Sequence, residues 1–534
     1  MIENNSIDKR HVLPRWLSVS KAIEAGYFRS AAKAVKTTTN KALLQENALS
    51  LITEFRNAME AWQNDSSVSN AEEFLSVSLV AQKVGDRSVV DAAHKIVSSK
   101  NSSMGIIAIA QALTSGSPFS SISDDFLEQA NLQIGIQKKK KLLEEHPRDS
   151  LLIMELALAY TNLGQFAAAE NLVNRAVSLT PNSRFVLRST ARFLCHRNKP
   201  DEALSLLQRS PRIDSDAWIK SAELAIAGLI QAPIQNWRKS RALAADTSLP
   251  PRDRSELISE IATLEFASGA RRAGLKQVRN AVEDPTENAI AQIAFLSGET
   301  NNFSIEDVLH DISGSMEAQS LDFYRKGQLK SAFEACLAWR KVEPFSIRPA
   351  VFGSFLSTTK QNSVDLGIEL AKNGLRSNPG HPILLNNLAV LLAYKGDVAN
   401  AAKYAEQSRS NSPFKNDIAG LATRGLINFR QGRHEEGNRF YEMAIEKAID
   451  QREMDMALRA YAFLSREIIR IDPKLTAQIR DQFKEIETKI GRSGRKLPAD
   501  VAIIVGEFSD QAAVTESLLS DFTKFPQSYI DKIL

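Results

Sequence analysis

An all-α chain built as a solenoid of antiparallel helix pairs is predicted by three observations. From Ser150, the stretch SLLIMELALAYTNLGQFAAAENLVNRAVSLTP places Ala157, Gly164, Ala169 and Pro181 at offsets that recur at Ala389, Gly396, Ala401 and Pro413, a spacing close to one helical hairpin of about 34 residues. Large apolar residues fall between them with helical period, and alternating runs of the β type are nearly absent. The 534 residues are too many for one compact core yet show no sharp change in composition, which suits a fold that grows lengthwise.

Each element of one unit follows from its residues. Ala157, Ala169 and Ala176 are small where two helix axes must approach. Ile153, Leu156, Tyr160, Phe166 and Val173 form apolar stripes that one pair cannot bury alone, so neighbouring pairs must cover them. Gly164 allows the tight turn between the helices, and Pro181 stops the second one because it lacks an amide donor.

The set Ala157, Tyr160, Gly164, Ala169, Ala176 and Pro181, with Leu388, Ala389, Gly396, Ala401 and Pro413, resembles the tetratricopeptide repeat. That resemblance implies a right-handed superhelical solenoid in which the first helix of each pair lines a concave groove. It also implies a protein or peptide partner, without naming one.

Along the chain the pattern varies. Residues 1–147 read as a degenerate helical region: Trp16, Gly26, Phe28 and Ala31 echo one unit and Phe74, Gly85 and Val97 another, with a loop at 114–125. Residues 148–301 form a first repeat block, in which Lys199-Pro200-Asp201-Glu202 replaces a glycine turn and Gly274 stands where alanine is expected, predicting looser packing there. Residues 302–450 form a second block, with a helix start predicted at the capping pair Ser304 and Asp307. Residues 451–534 read as a cap of two amphipathic helices and a tail whose apolar segment, VAIIVGEF, either folds back or docks on a partner.

Composition narrows the function classes. Lys plus Arg total 67 against 63 acids, so a net charge of +4 is spread thinly and does not make the footprint of a dedicated nucleic-acid binder. The run Lys138 to Lys141 reads as one face of a solvated helix, and nucleic acid stays a weakly supported partner. Cys195 and Cys336 are too few for a disulfide framework. No signal-like or membrane-spanning apolar run is evident, which predicts a cytoplasmic location and no membrane partner. Oligomeric state is left open by the sequence.

Nothing in the chain reads as catalytic. Walker, GxGxxG and GxSxG patterns are missing, and His434-Glu435-Glu436-Gly437-Asn438 lacks the second histidine a metal would need. Arg376 and His381 have a spacing used by helical ribonucleases, but Pro379 and Gly380 between them predict a loop instead. Cys195 and His196 are adjacent, so on a helix they point apart. No cofactor and no metal are implied.

Binding residues are easier to nominate. Arg184, Arg188 and Arg192 recur every four residues and share one helix face. An acidic peptide or phosphate along them is one reading, and a face paired with nearby acids is the other. Asn386, Asn387 and Tyr394 occupy positions that in related repeats face the groove, where asparagine pairs with the backbone of an extended peptide. The carboxylate clamp of that family is not matched, since Glu317 and Leu321 stand where lysine and asparagine are expected. The leading expectation is a non-catalytic scaffold or adaptor that grips a protein partner and supports a multiprotein complex. The alternative is a regulator whose residues 1–147 act on nucleic acid while the repeats sense a partner.

Overall fold

The computed structural model describes residues 11–25, 27, 55–81, 83, 86–99, 102, 104–114, 124–300, 303–305, 307–309, 311–359, 363–412, 417–492 and 496–508. Regular structure among them is helical throughout, with no strand. Two compact units emerge, an N-terminal unit of Asn5–Ser315 with Val342–Phe345 and a C-terminal unit of Met316–Lys341 with Ser346–Leu534.

In the N-terminal unit, residues 55–64 and the helices Val68–Val80, Arg87–Ser98 and Met104–Thr114 share a core around Phe74, Ile96 and Ile109. The long helix Asp124–Glu145 leads into the pairs Ser150–Asn162 with Phe166–Leu179, Arg184–His196 with Pro200–Gln208, Ala217–Leu229 with Trp237–Ala245, and Pro251–Ala267 with Arg271–Ala281. Glu287–Thr300 follows the last pair and packs on Pro251–Ala267. Local chemistry sets these boundaries. The Asp149 carboxylate accepts from the amides of Leu151 and Leu152, capping a helix start that would otherwise leave those donors unmet.

The turns repeat as the spacing predicts. Gly164 and Gly396 take positive φ of 74° and 90° between their helices. In the unit without a glycine turn, Asn198 supplies the left-handed residue at φ 58°, a conformation asparagine tolerates better than most side chains. In the C-terminal unit the pairs are Met316–Arg325 with Leu329–Val342, Ile347–Thr359 with Val364–Ser377, Pro382–Lys395 with Val398–Asn411, Ile418–Arg430 with His434–Asp450, and Met454–Ile471 with Thr476–Arg492. A short helix, Ala499–Glu507, closes the described chain.

Small residues do mark the close approaches. A Cβ on Gly425 would lie 2.5 Å from the Tyr441 ring and 3.0 Å from the carbonyl oxygen of Gly437, so those two helices touch through backbone.

Three expectations need correction. Trp16 is not in a repeat helix, because residues 11–18 have no helix at all and Trp16 lies in that run. No helix begins at Ser304: its amide donates to Asp307 at 3.3 Å and closes a turn, and the next helix starts at Met316. Gly274 is not loosely packed, since a Cβ there would meet the Phe266 ring at 2.9 Å and that ring fills the space. Gly26, Phe28, Ala31, Gly85 and residues 115–123 of the loop lie outside the described residues.

Candidate peptide grooves

The N-terminal unit carries a groove, and the chain's own residues 11–18 lie in it. The helices that meet this arm are Ser150–Asn162, Arg184–His196, Ala217–Leu229, Pro251–Ala267 and Glu287–Thr300, the first helix of each pair and the helix that follows the last. Without an occupant this face would be solvated. Yet Ser221, Glu256, Ser259, Glu260, Asn288 and Gln292 are each 6% exposed or less.

Polar side chains read the arm's backbone. The Val12 amide donates to Gln292 Oε1 at 2.5 Å, and Asn288 Nδ2 donates to the Leu13 carbonyl at 3.4 Å. At the far end the Val19 amide donates to the Glu155 carboxylate. These contacts serve groups that a non-helical run cannot satisfy within itself.

Charges meet the arm's side chains. His11 Nδ1 lies 2.7 Å from Glu260 Oε2, and Gly228 makes room for that imidazole, since a Cβ there would fall 2.2 Å from the ring. Arg15 sits 2.5 Å from a Glu287 carboxylate oxygen and donates through Nε to Asn288 Oδ1 at 2.6 Å. Burial pushes the Glu260 carboxyl above the usual range, against the pull of His11. Trp16 is fully buried and packs edge-on against Phe193 and Phe345, at 5.9 and 5.6 Å between ring centroids.

The nominated arginines form the floor beside this arm. They share one face, as their spacing predicts, and that face meets the chain itself. Arg184 Nε lies 2.9 Å from Asp216. Arg188 is completely buried, donating to Glu256 at 2.6 Å, to Ser221 at 3.0 Å and to the Trp218 carbonyl, with the Tyr27 ring 5.3 Å from its guanidinium carbon. Burial alone would lower its pKa, but the Glu256 carboxylate and the hydrogen bonds outweigh it and the net shift is upward. Arg192 lies over the Phe345 ring at 5.0 Å. The acids and rings that hold these arginines sit mainly on neighbouring helices and in the arm, where four-residue spacing gives no signal.

The C-terminal unit has a groove with a different occupant. The helix Ala499–Glu507 packs on Ile347–Thr359 and Met454–Ile471, which are again first helices of their pairs, with Val501, Ile504 and Phe508 buried. Asp500 is fully buried, accepting from Tyr324 Oη and Arg459 Nε at 2.7 Å each. Burial alone would raise this carboxyl, and the Arg459 charge with both hydrogen bonds brings it below its ordinary value. Arg466 joins Glu507 at 2.9 Å and the carbonyls of Thr358 and Thr359 at 3.2 and 2.6 Å.

Tyr394 faces this cluster, with the guanidinium carbons of Arg430 and Arg466 at 5.4 and 5.9 Å from its ring centroid. Burial raises its hydroxyl pKa. Asn387 donates to the Val351 carbonyl and Ser354 Oγ of the adjacent first helix at 3.2 and 2.9 Å, and Asn386 is buried beside it in sequence. Glu317, at the unmatched clamp position, is buried and holds Arg348.

The residues weighed for catalysis sit in structural surroundings. His381 precedes the helix Pro382–Lys395, next to Gly380 at φ 73°, and burial lowers it to about 4. Cys336 is buried 2.9 Å from Ser320 Oγ, its thiol pushed up to about 12 by burial, the reverse of nucleophile activation. His434 stacks on Phe429, and Lys140 pairs with Glu73 at 2.7 Å. No described helix is long and apolar enough to cross a membrane.

No curated protein matches the sequence. Among solved structures the chain is similar to yeast Tom70, with 13% identity over 88% of this chain and 96% of that one and a TM-score of 0.28. It is also similar to the APC/C heterotetramer Cut9–Hcn1, with 12% identity, 88% and 94% covered and a TM-score of 0.35. Naa15/Naa10 bound to HypK-THB follows with 12% identity, 89% and 80% covered and a TM-score of 0.23. The sequence profile of the tetratricopeptide repeat matches residues 124–217 and 359–416. One of these stretches lies in each compact unit, so the chain carries a segment similar to the tetratricopeptide repeat in both.

Proposed function

We propose that this protein is a non-catalytic adaptor that holds a segment of a partner protein in the groove of its helical repeats and so supports assembly of a multiprotein complex. The observation that supports this reading most is the set of first helices in the N-terminal unit, which already hold a non-helical polypeptide run by its backbone and side chains. Backbone readout gives affinity to a drawn-out segment with modest sequence demand, and flanking charges supply the preference. In this reading Arg184, Arg188 and Arg192 build the floor of one groove, and Asn386, Asn387 and Tyr394 build that of the other.

The test is stoichiometric capture of a protein partner by the full chain and by two variants, Asn288→Ala with Gln292→Ala, and Tyr394→Ala with Arg466→Gln. Loss of capture in either variant is expected. Capture that survives both, or salt-dependent binding of RNA in place of a protein, would overturn the reading.

A further inference from the structure

Charge that balances over the whole chain does not balance on the surface of the N-terminal unit. The second helices of two successive pairs, Trp237–Ala245 and Arg271–Ala281, carry three and four cations and no acid, against 67 cations and 63 acids in the chain. Every one of these cations is exposed. The helix between them, Pro251–Ala267, does not neutralise them, because its four acids are engaged elsewhere or at one point only. Glu256 and Glu260 are buried and hold Arg188 and His11, and Asp253 accepts from the Trp218 indole at 3.2 Å. Glu265 takes Arg241 at 2.9 Å, and Arg254 donates to the Ala244 carbonyl at 3.1 Å. The shorter basic helix is thus pinned along Pro251–Ala267, whose last turn leads into the longer one.

Lys239 pairs with Asp214 at 2.6 Å, and Asp284, beyond the longer helix, takes Arg252. Arg238, Arg271, Arg272, Lys276 and Arg279 are left without an ion pair to any described residue. Helix stability does not account for them. Arg271 and Arg272 stand in the first turn, where the macrodipole disfavours positive charge. Arg272, Lys276 and Arg279 fall within about 60° of one another around the helix and span about 10 Å along it, so they form one stripe.

The charge density of that stripe selects its partner. Over about 10 Å a nucleic-acid duplex offers about six phosphates, at one charge per about 1.7 Å of axis. A drawn-out acidic peptide sets side chains on one face only about every 7 Å, and so offers about two carboxylates over the same length. Neither helix exposes a large apolar side chain to enter a bilayer or to anchor a protein interface. We propose that the face built by Trp237–Ala245 and Arg271–Ala281 binds the phosphate backbone of a nucleic-acid duplex, without reading its sequence, through Arg238, Arg271, Arg272, Lys276 and Arg279. Arginine forks and a lysine point charge both suit phosphate oxygens. This surface lies on second helices and the peptide groove on first helices, so it goes beyond the groove reading and does not depend on it.

The experiment titrates the full chain against fluorescein-labelled duplexes of about 20 base pairs, one of DNA and one of RNA, between about 50 and 200 mM salt. With about four phosphate contacts, affinity is expected to fall about 150-fold over that range. Arg272→Gln with Lys276→Gln should weaken binding about tenfold or more in low salt and reduce the slope of log affinity against log salt by about 2. Lys330→Gln with Lys403→Gln removes the same charge from exposed positions of the C-terminal unit and should bind as the wild type does. All four substitutions put a good helix former at an exposed helix position, so both variants fold. The groove variant, Asn288→Ala with Gln292→Ala, should also keep duplex binding, which separates failure here from failure of the groove reading. The tighter of the two duplexes identifies the source of the phosphate. Absence of binding to either duplex in low salt, or equal losses in the basic-face and control variants, would overturn the proposal. Binding of polyglutamate or of phosphatidylserine vesicles that depends on Arg272 and Lys276, with none of duplex, would also overturn it and give the face to an acidic protein or a membrane.

Discussion

The two units cover the same face, the first helices of their repeats, with segments of opposite kind, and their grooves differ accordingly. A run without helix carries unmet amides and carbonyls, so the N-terminal groove supplies Gln292 and Asn288 to meet them. The helix Ala499–Glu507 satisfies its own backbone, so the C-terminal groove meets only side chains, through Arg459, Tyr324 and Arg466 and an apolar bed. The occupant's backbone state thus dictates which residue types a groove needs, amides for a drawn-out run and cations for an acidic helix. One repeat architecture serves both.

That contrast can be broken first at the C-terminal latch. Arg459→Met leaves the buried Asp500 carboxylate without its cation, and removing one partner of a buried pair costs about 3–5 kcal/mol. Amide exchange across Ala499–Glu507 should rise to that of an undocked helix, and an unchanged profile would show that apolar contacts alone hold it. The N-terminal anchor comes next. Trp16→Ala removes the arm's largest buried side chain at a cost of about 3 kcal/mol, the lower end for such truncations because the arm can settle into the gap. Exchange should increase over residues 11–27 and not over Ser150–Asn162.

A smaller effect separates the repeats themselves. Gly425 stands seven residues before the turn glycine Gly432, where Ala157 precedes Gly164 by the same interval. Gly425→Ala should cost about 1–3 kcal/mol because its Cβ meets the Tyr441 ring and the Gly437 carbonyl. Ala157→Gly, the reverse change in the N-terminal unit, should cost about 1 kcal/mol through helix propensity. Differential scanning calorimetry of both variants would sharpen or erase the difference between the units.

Acid should distinguish the units most gently. Burial lowers His381 in the fold to about 4, below its ordinary value near 6.5, so its contribution is full above 6.5 and lost as pH falls toward 4. Asp500, held below its ordinary carboxylate value, adds a further loss under still stronger acid. Glu260 has the opposite sign: its raised pKa contributes stability that is present in acid and lost as pH rises. The calorimetric transition of the C-terminal unit should therefore fall between pH 6.5 and 4, and His381→Gln should flatten that fall.

Much of this fold is legible in the sequence. Ala157, Gly164 and Pro181 place a helix, a turn and a stop, because each acts on its immediate neighbours. The arm is not legible, because residues 11–18 carry no period and their partners lie far along the chain, Glu260 and Gln292 above all. Of the nominated site residues, the four-residue spacing of Arg184, Arg188 and Arg192 correctly implies a shared face. It cannot reveal that Asp216 and Glu256 wait on the next helices. The groove residues Asn288 and Gln292 had one available signal: polar side chains four residues apart, on a helix with few other polar positions toward its start.

The tether on the arm has a quantitative consequence for any competitor. Residue 18 passes directly into the helix Val19–Glu24, so the arm samples its groove at an effective concentration on the order of millimolar, as short connections do. A free peptide making the same contacts at micromolar concentration would be outcompeted about a thousandfold. A competitor for this site would need further contacts, or several such segments presented together, to displace the tethered arm.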